Sequence, residues 1–299
     1  MKRLSNISAA LYALTLSSLP ADAALAATRS AGCGKDPTLL TSPPTTPYTV
    51  TVNSKAREFY VRLPEGYDRD RAYRLIFTFH ALGGRAAQVV AGEGGYLPWY
   101  GLPAQDPDES AVYVAAQGLV NENDFGGTTG WANVGGEDVA LVDALVELVE
   151  ADLCIDSEHR YSTGFSYGGA MSFALACERS AEFRAVAVLS GGPMSGCVGG
   201  NEPIAYYGQH GLSDRVLPVD LGRDLRDRFV RNNGCTPQEA VEPVVGSGTH
   251  VKTEYEGCTH PVTWLAFDGD HVPQPRDAGA NETFAAEETW AFFSQFTLT

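Results

Sequence analysis

Basic residues are scarce in this chain. Lysine and arginine number 21 against 37 acidic residues in 299, a formal net charge of −16 at pH 7. Such a charge repels phosphate backbones and anionic lipid headgroups, so neither nucleic acid nor membrane is expected as a partner. Beyond the first 27 residues no stretch is long and apolar enough to span a bilayer. There is no C-x-x-C pair and no H-E-x-x-H, which removes the usual spacings for a metal site, and no cofactor is expected. Internal repeats and low-complexity linkers are also missing.

The first 27 residues read as a secretory leader. Lys2 and Arg3 form a charged head, Ile7 to Leu19 a short apolar stretch, and Ala21-Asp22-Ala23 and Ala24-Leu25-Ala26 offer small-residue cleavage sites. The expectation is a secreted, extracellular protein whose residues 28–299 form a single catalytic domain. Removing Lys2, Arg3 and Asp22 leaves 19 basic and 36 acidic residues, a net charge of −17. The six cysteines, Cys33, Cys154, Cys177, Cys197, Cys235 and Cys258, are an even number, which suggests three disulfides in an oxidising compartment. Cys235 and Cys258 flank one Gly/Thr-rich excursion and are the expected pair. Asn281-Glu282-Thr283 is a glycosylation acceptor; Asn6-Ile7-Ser8 also matches but lies in the leader.

Residues 30–47 look like an extended arm. Tyr48–Asn53 and Arg57–Leu63 alternate apolar and polar residues, as an antiparallel pair at a sheet edge does. Arg74–Phe79 and Ala111–Ala115 are continuously apolar, like central strands. Glu137–Leu153 is an amphipathic helix with Val139, Val142, Val146 and Val149 on one stripe. Further strands are expected at His159–Thr163, Phe183–Leu189, Pro203–Tyr207 and Val262–Phe267. Helices are expected at Gly169–Cys177, Leu221–Asn232 and Phe284–Phe296. Strands alternating with helices predict an α/β protein with a mostly parallel sheet covered on both faces.

Gly164-Phe165-Ser166-Tyr167-Gly168 falls between one of these strands and its helix. A G-x-S-x-G in that setting is the nucleophile elbow of the α/β-hydrolase fold. Small residues at 164 and 168 allow a sharp turn, and the following helix N-terminus favours negative charge. A serine hydroxyl needs a base, and the base needs an orienting acid. In this fold they follow in the order Ser, acid, His. His271, in Phe267-Asp268-Gly269-Asp270-His271 after the last strand, is the expected base, with His250 and His260 as competitors. Asp214, after the strand that carries Tyr206-Tyr207, is the expected acid, with Asp268 and Asp270 as rivals. Two backbone N–H groups must face the developing oxyanion. One is expected from Tyr167. The other is expected from Leu82 in His80-Ala81-Leu82-Gly83-Gly84, with Ala81 the alternative, and His80 bracing the loop.

Gly32-Cys33-Gly34-Lys35, Tyr73 to Phe77, Trp131-Ala132-Asn133, Gly136 to Val139, the elbow and Gln209-His210-Gly211-Leu212-Ser213-Asp214 together resemble the secreted fungal feruloyl esterases of carbohydrate esterase family one. The similarity runs along the whole chain after the leader. It departs at Leu265, where many members are expected to carry cysteine. The resemblance implies hydrolysis of ferulate or p-coumarate esters on arabinoxylan or pectin, with Ser166, Asp214 and His271 as the triad. The loops 98–108 and 118–136 carry Trp99, Tyr100, Phe125 and Trp131, which are expected to stack on a phenolic ring. Other readings are an acetyl xylan esterase or hydroxybutyrate polyester depolymerase of the same fold, and a non-catalytic protein that binds wall polymers.

Overall fold

A computed structural model describes residues 28–121 and 126–298. The expected leader and Phe125 lie outside them. In chain order the elements are β1 (Tyr48–Val52), β2 (Lys55–Arg62), β3 (Tyr73–Phe79), α1 (Ala86–Ala91), α2 (Leu102–Gln105), β4 (Ala111–Ala116), β5 (Leu119–Val120), β6 (Thr129–Gly130), α3 (Glu137–Asp152), β7 (Ile155–Phe165), α4 (Tyr167–Glu178), β8 (Ala185–Leu189), β9 (Ala205–Gly211), α5 (Val219–Asn232), β10 (His250–Glu254), β11 (Val262–Phe267) and α6 (Phe284–Ser294). Nine strands form one sheet in the order β1-β2-β4-β3-β7-β8-β9-β11-β10. From β4 to β11 all neighbours are parallel, while β1, β2 and β10 run antiparallel at the two edges. This is the α/β-hydrolase arrangement that the alternating elements predict.

The central strands are apolar without alternation because both their faces are covered. Phe77, Phe79, Val186 and Val188 pack with Val142, Leu145 and Val149 of α3, Phe173 of α4 and Phe229 of α5. Ile76, Ala187 and Leu189 face the other layer, with Val89 of α1 and Phe292 and Phe293 of α6. Each large side chain fully removed from water in these layers contributes about 1.5–3 kcal/mol. Helix α3 starts where Asn133 Oδ1 accepts the N–H groups of Asp138 and Val139, at 3.0 and 3.1 Å, and Asp138 Oδ2 accepts from Asn133 N at 2.9 Å. Asp138 also takes Arg57 of β2 at 2.7 Å, so this acid is a buried junction rather than a simple helix-end charge.

Several elements differ from expectation: α1, α2, β5 and β6 have no counterpart in it, β9 runs on to Gly211, and β7 and β10 differ for physical reasons. Strand β7 starts four residues early, at the buried Ile155, because the polar run Asp156-Ser157-Glu158 after it breaks the apolar pattern. Strand β10, His250-Val251-Lys252-Thr253-Glu254, is an edge strand inside the Gly/Thr-rich excursion, and its charged residues hide it from a hydrophobic pattern.

All six cysteines are paired. Cys235–Cys258 closes the excursion as expected, Cys177–Cys197 ties the end of α4 to the loop after β8, and Cys33–Cys154 fastens the arm to the start of β7. Beside that third bridge, Asp152 accepts the N–H groups of Thr38, Leu39 and Leu40 at 2.8–3.2 Å. Leu265, the point of departure from the resemblance, is fully buried in β11. Asn281 is exposed.

Candidate active site

Strand β7 ends at Phe165 and α4 begins at Tyr167, which leaves Ser166 alone in the turn. Its φ of 59° and ψ of −117° lie where side chains rarely sit. Such strain persists only when the surroundings impose it. Here a Cβ on Gly168 would overlap the Phe79 carbonyl, and one on Gly164 would overlap the backbone of Gly168. Ser166 N donates to Leu189 O at 2.9 Å, and Ser166 O accepts from Ala170 N at 3.0 Å, so strand and helix clamp the turn from both sides.

His271 sits on the loop after β11, with its ring against that of Phe165, centroids 4.4 Å apart. Its Nδ1 is 2.6 Å from Asp214 Oδ2. A carboxylate only accepts, so Nδ1 carries the proton and Nε2 keeps its lone pair. That Nε2 is buried and has no hydrogen-bond partner among the described residues. Asp214 Oδ1 accepts from Val216 N at 2.9 Å and Leu217 N at 2.8 Å. Burial opposes ionisation of Asp214. Its hydrogen bonds with His210, His271 and Leu217 outweigh that and hold the carboxyl far below the usual range.

The rivals go elsewhere. Asp270 accepts from His271's own N–H at 2.8 Å and from Arg215 N at 3.0 Å, and pairs with the Arg215 guanidinium. It joins the base loop to the acid loop, and the hydrogen bonds from the Arg215 side chain and from the Arg215 and His271 backbone draw its pKa down to about 2. Asp268 accepts from Gly246 N and Gly248 N. His250 pairs with Asp277 at 2.9 Å over the ring of Phe284.

The loop after β3 distinguishes Leu82 from Ala81. Ala81 N donates to Tyr96 Oη at 2.8 Å, whereas Leu82 N makes no hydrogen bond among the described residues. Gly83 N donates to Thr129 O at 2.8 Å, and a Cβ on Gly130 would lie 2.5 Å from the Tyr167 ring and 3.5 Å from Leu82 Cδ1. Leu82 and Tyr167 therefore border the same small region. His80 braces the loop from beneath. Its Nδ1 donates to Ala81 O at 2.7 Å, and its Nε2 accepts from Gly118 N and Gln117 Nε2, both at 3.0 Å. Burial lowers its pKa to about 4, so it is a neutral strut.

The expected ring-stacking aromatics need correction. Trp131 is fully buried, donates from Nε1 to His80 O at 2.8 Å and packs edge-on against Phe79. Tyr100 is 1% exposed, and its hydroxyl donates to Phe79 O at 2.6 Å while accepting from Phe165 N at 2.9 Å. Trp99, 3% exposed, packs toward Tyr113. The three faces that were expected to meet a ligand meet the core, and the polar tips of Trp131 and Tyr100 complete a loop and two strand ends. Phe125 lies outside the described residues. Sequence reasoning gave no role to Tyr96 or His210 and weighed Asp270 only as a rival acid, not as the link between the two loops; His210 and Asp270 stood inside the motifs that carry the site.

No family model matches the chain. Among curated proteins, feruloyl esterase D of Neurospora crassa is 50% identical over 290 residues, covering 95% of both chains. Feruloyl esterase C of Emericella nidulans is 49% identical over 265 residues, covering 88% of this chain and 90% of that one. Among solved structures, a ferulic acid esterase of Anaeromyces mucronatus in complex with ferulic acid superposes with a TM-score of 0.54 at 17% identity, over 85% of this chain and 93% of that one. An acetyl xylan esterase from Aspergillus awamori superposes with a TM-score of 0.55 at 13% identity, over 83% of this chain and all of that one. These structural likenesses establish the fold. The identity along nearly the whole length establishes the rest: the chain belongs to the feruloyl esterases, carboxylic ester hydrolases built on the α/β-hydrolase fold.

Proposed function

We propose that residues 28–299 act as one secreted catalytic domain that cleaves ferulate and p-coumarate esters of plant cell-wall polysaccharides, arabinoxylan or pectin, with Ser166, His271 and Asp214 as its triad. The observation that carries the assignment is the 2.6 Å contact of Asp214 Oδ2 with His271 Nδ1. It leaves a buried Nε2, unpartnered among the described residues, on a ring tilted against that of the residue before the nucleophile.

Ser166 Oγ attacks the ester carbonyl while His271 Nε2 takes its proton. The charge on the carbonyl oxygen meets the amides of Tyr167 and Leu82, next to the positive end of α4. His271 then protonates the leaving sugar hydroxyl. Water, deprotonated by the same nitrogen, cleaves the feruloyl-enzyme and releases the free acid. No step needs a metal or cofactor. With Trp131, Trp99 and Tyr100 turned inward, the phenolic ring is left to exposed aliphatic side chains at the mouth. Leu82, whose own amide is the assigned oxyanion donor, Val216, two residues after Asp214, and Val272, next to His271, are 39, 63 and 39% exposed. Three disulfides support an oxidising destination.

The test is hydrolysis of methyl ferulate, methyl p-coumarate and methyl sinapate beside p-nitrophenyl acetate. Ser166→Ala is expected to lower kcat by ~10³-fold or more on the cinnamates. Turnover of the acetate alone by the unaltered enzyme would move it to the acetyl esterases, and unchanged activity in the variant would remove Ser166 from the role.

A further inference from the structure

We propose that His210 is a positioning residue for the base, holding the Asp214 carboxylate from the side opposite His271. This inference rests on the reading of Asp214 and His271 as acid and base.

His210 is at the end of β9, 1% exposed, four residues before Asp214. Its Nε2 lies 2.8 Å from Leu217 O and 3.3 Å from Asp214 Oδ2. Both partners are acceptors, a peptide carbonyl and an ionised carboxylate, so Nε2 must carry a proton. The shorter contact takes most of that N–H, and the longer one leaves the positive end of the bond facing Oδ2.

The ring has no room to turn. A Cβ on Gly222 of α5 would overlap His210 Nδ1, so helix backbone closes that side. The other neighbour is Trp264 of β11, its ring 6.4 Å away at 27°, with Arg226 5.1 Å from the centroid of that indole. The charged or titratable groups around the pair are Asp214 itself, His271 and Asp270 of the base loop, Arg215 of the acid loop, and Arg226 near Trp264.

Two consequences follow. Leu217 is gripped at both ends, its N–H by Asp214 Oδ1 at 2.8 Å and its C=O by His210. The turn that orients Asp214 is thereby pinned to β9. Asp214 Oδ2 also serves two imidazoles unequally, His271 at 2.6 Å and His210 at 3.3 Å. Charge shared with His210 is not available to a protonated His271, so His210 restrains the tendency of the base to hold a proton. Being sealed from solvent, His210 touches neither Ser166 nor substrate, and its action runs through Asp214 alone.

The experiment compares His210→Leu, which removes the donor, with His210→Gln, whose amide nitrogen falls near the Nε2 position. Both are assayed on methyl ferulate from pH 4.5 to 8 beside Asp214→Asn. For His210→Leu we expect kcat about tenfold lower, KM within about twofold, and the acidic limb of kcat/KM about half a pH unit higher. For His210→Gln we expect the original limb and most of the turnover. If leucine prevents folding, His210→Phe keeps a ring beside Trp264, lacks the proton, and carries the same expectation. A folded donorless variant with unchanged kcat and limb overturns the inference, as does a glutamine variant that shifts as far as leucine. Full activity in Asp214→Asn would instead overturn the assignment of the acid, so the two failures are told apart.

Discussion

Mild acid is expected to weaken this enzyme through His80 before it reaches any of the assigned carboxylates. His80 is fully buried beneath the loop that carries Leu82. Burial is the main cause of its pKa falling from 6.5 to about 4; Arg57 pushes the same way, and the bond to Ala81 O opposes both. Protonation would place a second N–H against Gly118 N and Gln117 Nε2, which now donate to Nε2. The unfolded chain takes up this proton near pH 6.5 and the folded chain only near 4. Between those values the unfolded state binds more protons, so stability falls as pH falls, by about 1.4 kcal/mol per unit for one group. Across the window the total is roughly 3 kcal/mol. His260, partly exposed and also lowered, mainly by burial, adds in the same direction, but less. Asp214 works in a separate window: its folded pKa is depressed, so its contribution is intact above the ordinary carboxylate range and is lost only below it. The assay is urea unfolding at pH 6.5, 5.5 and 4.5, followed by tryptophan fluorescence, for the wild type and His80→Asn. The variant should be less stable at pH 6.5 yet lose less on acidification. Parallel stability curves for the two proteins would refute the reasoning.

Further expectations follow from the same site. Gly130→Ala drives a methyl group into the Tyr167 ring, so kcat on methyl ferulate should fall at least about tenfold with the melting temperature little changed; an unaffected kcat would mean the ring yields freely. Trp131→Phe removes the donor to His80 O and should cost about 1–3 kcal/mol of unfolding free energy, while KM for methyl ferulate stays within about twofold, which separates a strut from a ligand contact. Asp270→Ala releases the N–H groups of both His271 and Arg215 and should lower kcat severalfold. Arg215→Ala removes only an exposed partner and should stay near wild type in the same steady-state assay.

Much of the site could be read from residue order. Ser166, Asp214 and His271 occur in the sequence this fold uses, each just after a strand, and strand ends are predictable from runs such as Arg74–Phe79 and Val262–Phe267. The readings that failed share a cause. Trp131, Trp99 and Tyr100 are aromatics in loops, and sequence pattern does not record whether an indole N–H or phenol reaches a carbonyl far along the chain. Tyr100 bridges Phe79 and Phe165, and Trp131 reaches His80. Strand β10 stayed hidden because an edge strand needs no apolar alternation, and Lys252 and Glu254 belong there as guards against further pairing.

The three cross-links differ in span, and that difference bears on how the chain matures. Two of them join cysteines 20 and 23 residues apart, so each can close as soon as one short hairpin-sized segment is made. Cys33 and Cys154 are separated by 121 residues, so the earliest cysteine made has no proper partner until half the chain exists. Through that interval it is an unguarded thiol, and once Cys154 has been made it stays open to capture by Cys177 or Cys197 until the native bond forms. Correct pairing then depends on the end of α3 and the start of β7 being in place, since the arm is held there by Asp152, Glu150 and Ile155. An oxidant supplied too early would trap the chain with its arm fastened to the wrong half.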